Sequence, residues 1–261
     1  YADISGNCYL QFEAFTTPQN ITLVATAQNH QPYINTIAIT KPNEPYLHIA
    51  GITVNDSIQG NNNHVINNNE TFSLNIQLTN FGTIADENIT ITVSSTSEHL
   101  TINENTYHLA HIADDTTIIL SNAFVMQTAT NTPNNTLIPF SFTIKNNDNI
   151  IFNSMQQLTV HAPNIIVSSY TLLDTIDGNN NGILNPGETG TIIFYLKNTG
   201  HALNSNGTFT FSDTTQQLII PPSSFNILPI APNDSIAITC TIQAPATIFS
   251  GTLIKPFYTI S

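Results

Sequence analysis

The sequence contains no arginine and no tryptophan, and four lysines stand against 17 acidic residues, for a formal net charge of −13. A surface of that sign repels phosphate, so nucleic-acid binding and attachment to anionic membranes are not expected. Without tryptophan, and with eight tyrosines that form no evident platform, a carbohydrate-binding role is disfavoured. Only two cysteines are present, Cys8 and Cys240. They fall in segments assigned below to different domains, so a disulfide between them is not expected, and each reads as a small buried residue. No apolar run approaches the ~20 residues that a membrane-spanning helix needs. The chain carries no signal peptide and does not begin with Met, so it reads as a mature or excised piece.

Catalytic groupings are missing as well. Cys8 has no histidine near it in sequence, and Cys240 alternates within the strand-like "AITCTIQA". His108 and His111, the closest histidine pair, lack a carboxylate at metal-binding spacing. Asp114 and Asp115, an adjacent acid pair, sit in a turn-like segment. The expectation is a protein that is not an enzyme.

What is present points to strands. Only 8% of residues are charged but 40% are hydrophobic, so the chain can bury a core and is no disordered acidic tail. Polar surface comes from 35 asparagines and many threonines, residues suited to left-handed turns and pleated edges. "TFSLNIQL" sets Phe72, Leu74, Ile76 and Leu78 against Thr71, Ser73, Asn75 and Gln77, the period of a strand with one buried face. No segment sustains a helical period, and prolines would interrupt one.

The chain repeats itself at an offset of 118 residues. "DSIQGNNNHVINNNE" (56–70) aligns without gaps on "DTIDGNNNGILNPGE" (174–188). Leu78 with Leu196, Asn80 with Asn198, and Gly82 with Gly200 stay in register, as do Ile112 with Ile230 and Ala113 with Ala231. "TLIPFSFTI" then resembles "TLIKPFYTI". Each repeat holds about seven strand-like segments in roughly 100–120 residues, which matches an immunoglobulin-like sandwich. The fold expectation is therefore all-β: tandem immunoglobulin-like sandwiches at 42–162 and 163–261, preceded by a partial β-domain at 1–41. The second repeat stops at Ser261, where the first continues through "NNDNIIFNSMQQLTVHAP". It is expected to lack a terminal strand or hairpin, and both ends look cut.

The stretch from 174 to 188 concentrates oxygen donors. Counted from Asp177 as position 1, Asn179 and Asn181 fall at 3 and 5, Gly182 at 6, Ile183 at 7, Asn185 at 9 and Glu188 at 12. This is the spacing of a twelve-residue calcium loop, whose hard cation takes six to eight oxygens at about 2.4 Å. Asp174 adds a further carboxylate. Asn at positions 3 and 5 lowers the ligand charge, which predicts a weak, extracellular type of calcium site. Strands replace the flanking helices of an EF-hand, so no opening switch follows. The alternative is a turn built from Asp-Gly and Asn-Gly clusters. In the first repeat, Gln59 stands at position 1 and His64 at position 6, so calcium is expected in the second repeat only.

"QNITLVATAQNHQPYINTIAIT" resembles the end of the immunoglobulin-like domain that follows the catalytic domain of gingipain-like cysteine peptidases. "DGNNNGILNPGE" followed by "TIIFYLKNTGHA" is similar to sandwich modules of secreted, type IX-exported surface proteins of Bacteroidota. The resemblance covers most of the chain. It implies a secreted or cell-surface bacterial protein, a sorting domain beyond Ser261 and a His–Cys catalytic domain before Tyr1; it gives no catalytic role to His30 or Cys8. The functional expectation is a non-catalytic stalk, spacer or adhesion module stiffened by calcium. One alternative is the accessory C-terminal region of a secreted peptidase, and another is a fibre subunit assembled by strand complementation. The implied partners are other domains of the same parent chain, neighbouring copies in a fibre, or a host or surface protein. With arginine missing, peptidases that cut after Arg or Lys would meet only Lys41, Lys145, Lys197 and Lys255; slower digestion and simple compositional drift account for this equally well.

Five of the ten aspartates are followed by Ser or Thr and then Ile or Thr. Such triplets begin turns before strands, and the resemblance also makes them similar to the O-glycosylation signal of exported proteins in that phylum. Ser57, Thr116, Thr175, Thr214 and Ser235 are then the candidate glycan sites. A glycan on Thr175 would crowd the adjoining calcium loop. Intact-mass analysis of the native protein is expected to show mass above that of the bare sequence, and equality would remove the assignment.

Overall fold

The computed structural model describes residues 18–221 and 223–261. Cys8 and the first 17 residues of the partial β-domain expected at 1–41 lie outside these residues. Strands are numbered in chain order. Among the described residues, β1 (Gln19–Ala25) and β2 (Tyr33–Ile39) pair only with each other, as an antiparallel hairpin.

The remaining strands form two sandwiches, so the all-β architecture expected from the alternation is the one observed. In the first sandwich, one sheet has the order β3 (Leu47–Asn55), β5 (Thr71–Asn80), β9 (Thr116–Thr128), β7 (Leu100–Glu104). The facing sheet runs β4 (Ile66–Asn67), β11 (Ile151–His161), β10 (Thr136–Lys145), β6 (Asp86–Ser94), β8 (Thr106–Ile112). In the second, β12 (Ile165–Leu173), β13 (Thr189–Asn198) and β16 (Ser235–Gln243) face β15 (Ser224–Ile227), β14 (Gly207–Ser212) and β17 (Phe257–Ile260).

Alternation decides which face is buried. Phe72, Leu74, Ile76 and Leu78 of β5 are at most 2% exposed and meet Ile91, Val93, Phe140 and Phe142 from the opposite sheet. Ile192, Phe194 and Leu196 of β13 play the same part against Phe209 and Phe211. Among the described residues the two cores are separate, with 20 buried residues in the first and 10 in the second. The second sandwich is thus built on much less buried apolar area, the main favourable term in folding.

The duplication extends to backbone detail. β3 and β12 are both nine residues long, with bulges at Ile49/Gly51 and Val167/Ser169. Leu78 pairs with Ile118 as Leu196 does with Ile236. Asp86 opposes Ile112 as Asn204 opposes Ile230. The high asparagine content also has a backbone cause. Of twelve described non-glycine residues with left-handed φ, nine are asparagine, the residue that tolerates this region best after glycine.

One asparagine in each sandwich holds the incoming chain. Asn80, fully buried, accepts from the N–H groups of Tyr46 and Gly82, both at 3.0 Å, and donates to the carbonyls of Ile84 and Ala113. Asn198 accepts from Asn164 and Gly200 and donates to Ala202 and Ile230, at 2.8–3.1 Å. Gly82 and Gly200 stay glycine because a Cβ would collide with the carbonyl oxygens of Glu44 and Ala162 in the segment leading into each sandwich. Replacing Asn198 with Ala removes the partner of the Asn164 and Gly200 N–H groups and of the Ala202 carbonyl, whereas the Ile230 carbonyl keeps its bond from the Asn204 N–H. Denaturant titration is expected to show a loss of roughly 3 kcal/mol or more in the second sandwich. A loss below about 1 kcal/mol would show that water substitutes for the side chain.

Candidate functional site: the duplicated loop

The loop between β12 and β13 contains every residue assigned from sequence to calcium, and the loop between β3 and β5 is its counterpart. Each is organised by a carboxylate at the end of the preceding strand. Asp174, 1% exposed, accepts from the N–H of Asn181 at 2.8 Å and of Gly182 at 3.3 Å. Asp56, 0% exposed, accepts from Asn63 at 2.9 Å and His64 at 3.1 Å. These bonds close a tight spiral, because two adjacent N–H groups converge on one buried carboxylate. Asp174 is therefore first of all the clamp of the loop.

Inside the spiral the side-chain amides form successive Asx turns. Asn179 Oδ1 accepts from the Asn181 N–H and Asn181 Oδ1 from the Ile183 N–H, at 3.1 and 2.8 Å. Asn61 and Asn63 repeat this toward Asn63 and Val65. Left-handed backbone occurs at Asn62, His64 and Asn69 in one loop and at Asn180, Gly182 and Gly187 in the other. His64 thus keeps the conformation that Gly182 adopts without a side-chain penalty. Glu188 and Glu70 complete the frame, accepting from the N–H of Asn185 and Asn67, both at 2.7 Å.

The two loops differ in what closes them. In the first, the amide nitrogens of Asn61 and Asn63 both donate to Asn67 Oδ1, at 3.0 and 2.9 Å, and Glu70 takes a second N–H from Asn61. In the second, Asn185 turns its own amide nitrogen onto Glu188 and the Ile183 carbonyl. Asp177 replaces Gln59, is exposed, and takes no part in the hydrogen bonds of the loop. The donor set of the second loop is made of oxygens: the carboxylates of Asp177 and Glu188, the amides of Asn179, Asn181 and Asn185, and the Ile183 carbonyl. That chemistry fits a hard divalent cation, since each carboxylate and amide oxygen keeps lone pairs beyond the bond it already accepts. Among the described residues no three His, Cys, Asp or Glu side chains come together as a metal-ligating group, so neutral oxygens would supply most of the coordination.

The other sequence candidates are spread over the surface. Ser57, Thr175, Thr214 and Ser235 are exposed and Thr116 is half-buried. The hydroxyls of Ser57 and Thr116 are engaged with Asn55 Oδ1 and the Asp114 carbonyl. Asp213 shows the local purpose of one Asp-Thr pair. Burial pushes its carboxyl up, but bonds from the Thr215 hydroxyl and from the N–H groups of Thr215, Leu218 and Gln217 outweigh that and hold it below its ordinary value. Cys240 lies in the second core, where burial pushes its thiol up to about 11; it holds no thiolate at neutral pH and is not an activated nucleophile. The sequence did not reveal that the first loop faces the second sandwich. A cleft of about 680 Å³ lies between Asn61, Asn67 and Glu70 on one side and His201, Asn204 and Pro232 on the other.

No family model matches the chain, and no curated protein matches it. Among solved structures, the secreted serine protease VesC from Vibrio cholerae is similar over 76% of this chain, at 11% identity and a TM-score of 0.25. The chain spans about half of that protein (48%), and an overlap of this quality carries no argument about fold or chemistry.

Glu70 titrates in this loop with a defined sign. Burial raises its carboxyl above the ordinary 4.5, the N–H groups of Asn67 and Asn61 oppose this, and nearby Asp56 adds to the rise. A carboxyl raised in the folded state binds its proton more tightly there than in the unfolded chain, so its contribution to stability falls as pH climbs from 4.5 through the raised folded value. The stability of wild type relative to Glu70→Gln is expected to be greatest near pH 4 and to decline toward pH 7 in thermal melts. A difference that does not vary with pH would mean that Glu70 is solvated like a surface acid.

Proposed function

We propose that the chain is a non-catalytic extracellular tandem of immunoglobulin-like sandwiches. It serves as a stalk, spacer or adhesion segment of a larger secreted or cell-surface protein, and calcium stiffens the loop that opens its second sandwich. The observation that carries the reading is the contrast between two loops with one backbone. The first loop is fastened internally, by two side-chain amides on Asn67 Oδ1. The second lacks that fastening and instead places an exposed carboxylate, Asp177, at the position where a calcium loop begins. A cation there would join Asp177 and Glu188 across the spiral, doing by coordination what the amides of Asn61 and Asn63 do by hydrogen bonding. The two separate cores and the large acidic excess suit a solvated, extended module.

Isothermal titration and calcium-dependent melting test this reading. Wild type is expected to bind with a dissociation constant of about 10⁻⁴–10⁻³ M. A tenfold excess of calcium over that constant is expected to add roughly 1.4 kcal/mol to the second sandwich. Asp177→Ala is the clean variant, because Asp177 supports none of the bonds of the loop, and it is expected to abolish both signals while leaving calcium-free stability unchanged. Wild type without heat or melting shift at 10 mM calcium, about ten times the weaker limit of such sites, would sink the calcium reading.

A further inference from the structure

One histidine of the second sandwich reaches back to the first. The segment 162–164 joins the two, and it is fastened from the far side: the N–H of Thr199 donates to the Asn164 carbonyl at 2.8 Å and that of His201 to the Ala162 carbonyl at 3.0 Å. Outside this segment, the hydrogen bonds between the sandwiches among the described residues all run between His201 and Asn134, in the loop between β9 and β10. Asn134 Oδ1 accepts from the N–H of Ala162 at 3.1 Å and of His201 at 3.3 Å. The amide nitrogen of Asn134 lies 2.9 Å from His201 Nδ1. The ring of His201 also meets that of His161, the last residue of β11, with centroids 5.3 Å apart and planes inclined at 38°.

The histidine pair is particular to this junction. At the repeat offset, Thr83 stands in the place of His201 and Asn43 in that of His161. Thr83 fastens the chain entering the first sandwich by two bonds to the Pro42 carbonyl, at 3.2 and 3.1 Å. A side chain that never titrates thus does there what an imidazole does here. The surroundings of the two rings hold few charges. The loop 129–135 and the segment 162–164 contain no titratable side chain, and the loop 199–206 contains only His201. Glu70 lies on the facing wall of the cleft that His201 borders, with Asp56 and His64 behind it, and Asp234 follows the turn at Pro232. Among the described residues no carboxylate forms an ion pair with either ring, and the charge that acts on Glu70 is Asp56. Burial holds the half-buried His161 below its ordinary 6.5, and the like charge of His201 adds to this.

We propose that the junction between the sandwiches is an acid-released joint, closed by neutral His161 and His201 and opened when both are protonated. With its proton on Nε2, His201 accepts at Nδ1 from the Asn134 amide nitrogen, and the two rings lie against each other. The second sandwich is then held in one orientation on the first. When both rings are charged, like charges stand 5.3 Å apart without a paired carboxylate. His201 Nδ1 becomes a donor facing a donor, and Asn134 Oδ1 already accepts from two N–H groups. Separating the rings relieves both conflicts, and the bordering cleft of about 680 Å³ gives the sandwiches room to turn. The sign follows from linkage. His161 binds its proton more weakly in the joined state than when the rings are apart, so acid favours the open joint as pH falls below 6.5, and neutral pH restores the closed one. The joint requires neither calcium nor the stalk reading.

Residual dipolar couplings of the full chain, fitted separately for each sandwich, report whether the two share one alignment tensor. Wild type is expected to show a shared tensor at about pH 7.5 and to lose it at about pH 5.5, where histidine clusters become charged. His161→Gln and His201→Gln keep a polar side chain that never titrates. Each is expected to remove the difference between the two pH values. Ring carbon shifts give a second readout that does not depend on orientation: the titration midpoint of His161 is expected to move up toward 6.5 in His201→Gln. A purely structural role for His201 would leave the pH response in place. Wild type that shares a tensor at about pH 5.5, or that shares none at about pH 7.5, would overturn the proposal. So would an acid response that persists in the double variant, which places the titrating group elsewhere, or a His161 midpoint indifferent to His201→Gln.

Discussion

Satisfying buried backbone groups by side chains is the constraint on which this structure depends. Sheets pair their interior N–H and C=O groups automatically, but the points where chain enters and leaves a sandwich do not. Asn80 and Asn198 resolve the entrance, each linking four backbone groups from the segments that enter and leave its sandwich. Asp56 and Asp174 resolve the first loop after it, each receiving two adjacent N–H groups. Cores of isoleucine and phenylalanine assemble around these fixed points. A protein with so few charges uses asparagine for the work because the amide both donates and accepts, and because its backbone enters the left-handed region readily.

The duplicated loop shows one backbone solved by two chemistries. A spiral that brings carboxylate and amide oxygens together must either neutralise them with donors or offer them to a cation. The first repeat turns amide nitrogens inward and keeps Glu70 buried, where desolvation raises its carboxyl. The second replaces Gln59 with Asp177 and His64 with Gly182, and turns the Asn185 amide nitrogen onto Glu188 instead. The asymmetry between sandwiches recurs in their cores.

Much of this was legible in the sequence because strands and duplication write themselves at fixed periods. Alternation at Phe72, Leu74, Ile76 and Leu78 marked a buried face, and the offset of 118 survives as matching pairs and bulges in β3 and β12. Asn80/Asn198 and Gly82/Gly200 were visible only as repeated letters. Their reason is a contact between residues some 34 positions apart, Asn80 with Tyr46 and Asn198 with Asn164, which periodicity does not encode. Asp174 was legible as an extra oxygen but not as the clamp of its loop, because spacing counts donors without showing which backbone N–H groups they already serve.

The sequence by itself determined the all-β class, the internal repeat, the acidic surface and the positions of the oxygen-rich loops, since each follows from local composition and period. Tertiary structure alone decided that the first loop faces the second sandwich, that Cys240 is sealed in a core, and which backbone groups Asn80 and Asn198 hold. The physical reason is that these are relations between segments far apart in the chain. Exposure and hydrogen-bond satisfaction belong to the packed arrangement, and no stretch of residues carries them until its neighbours are in place.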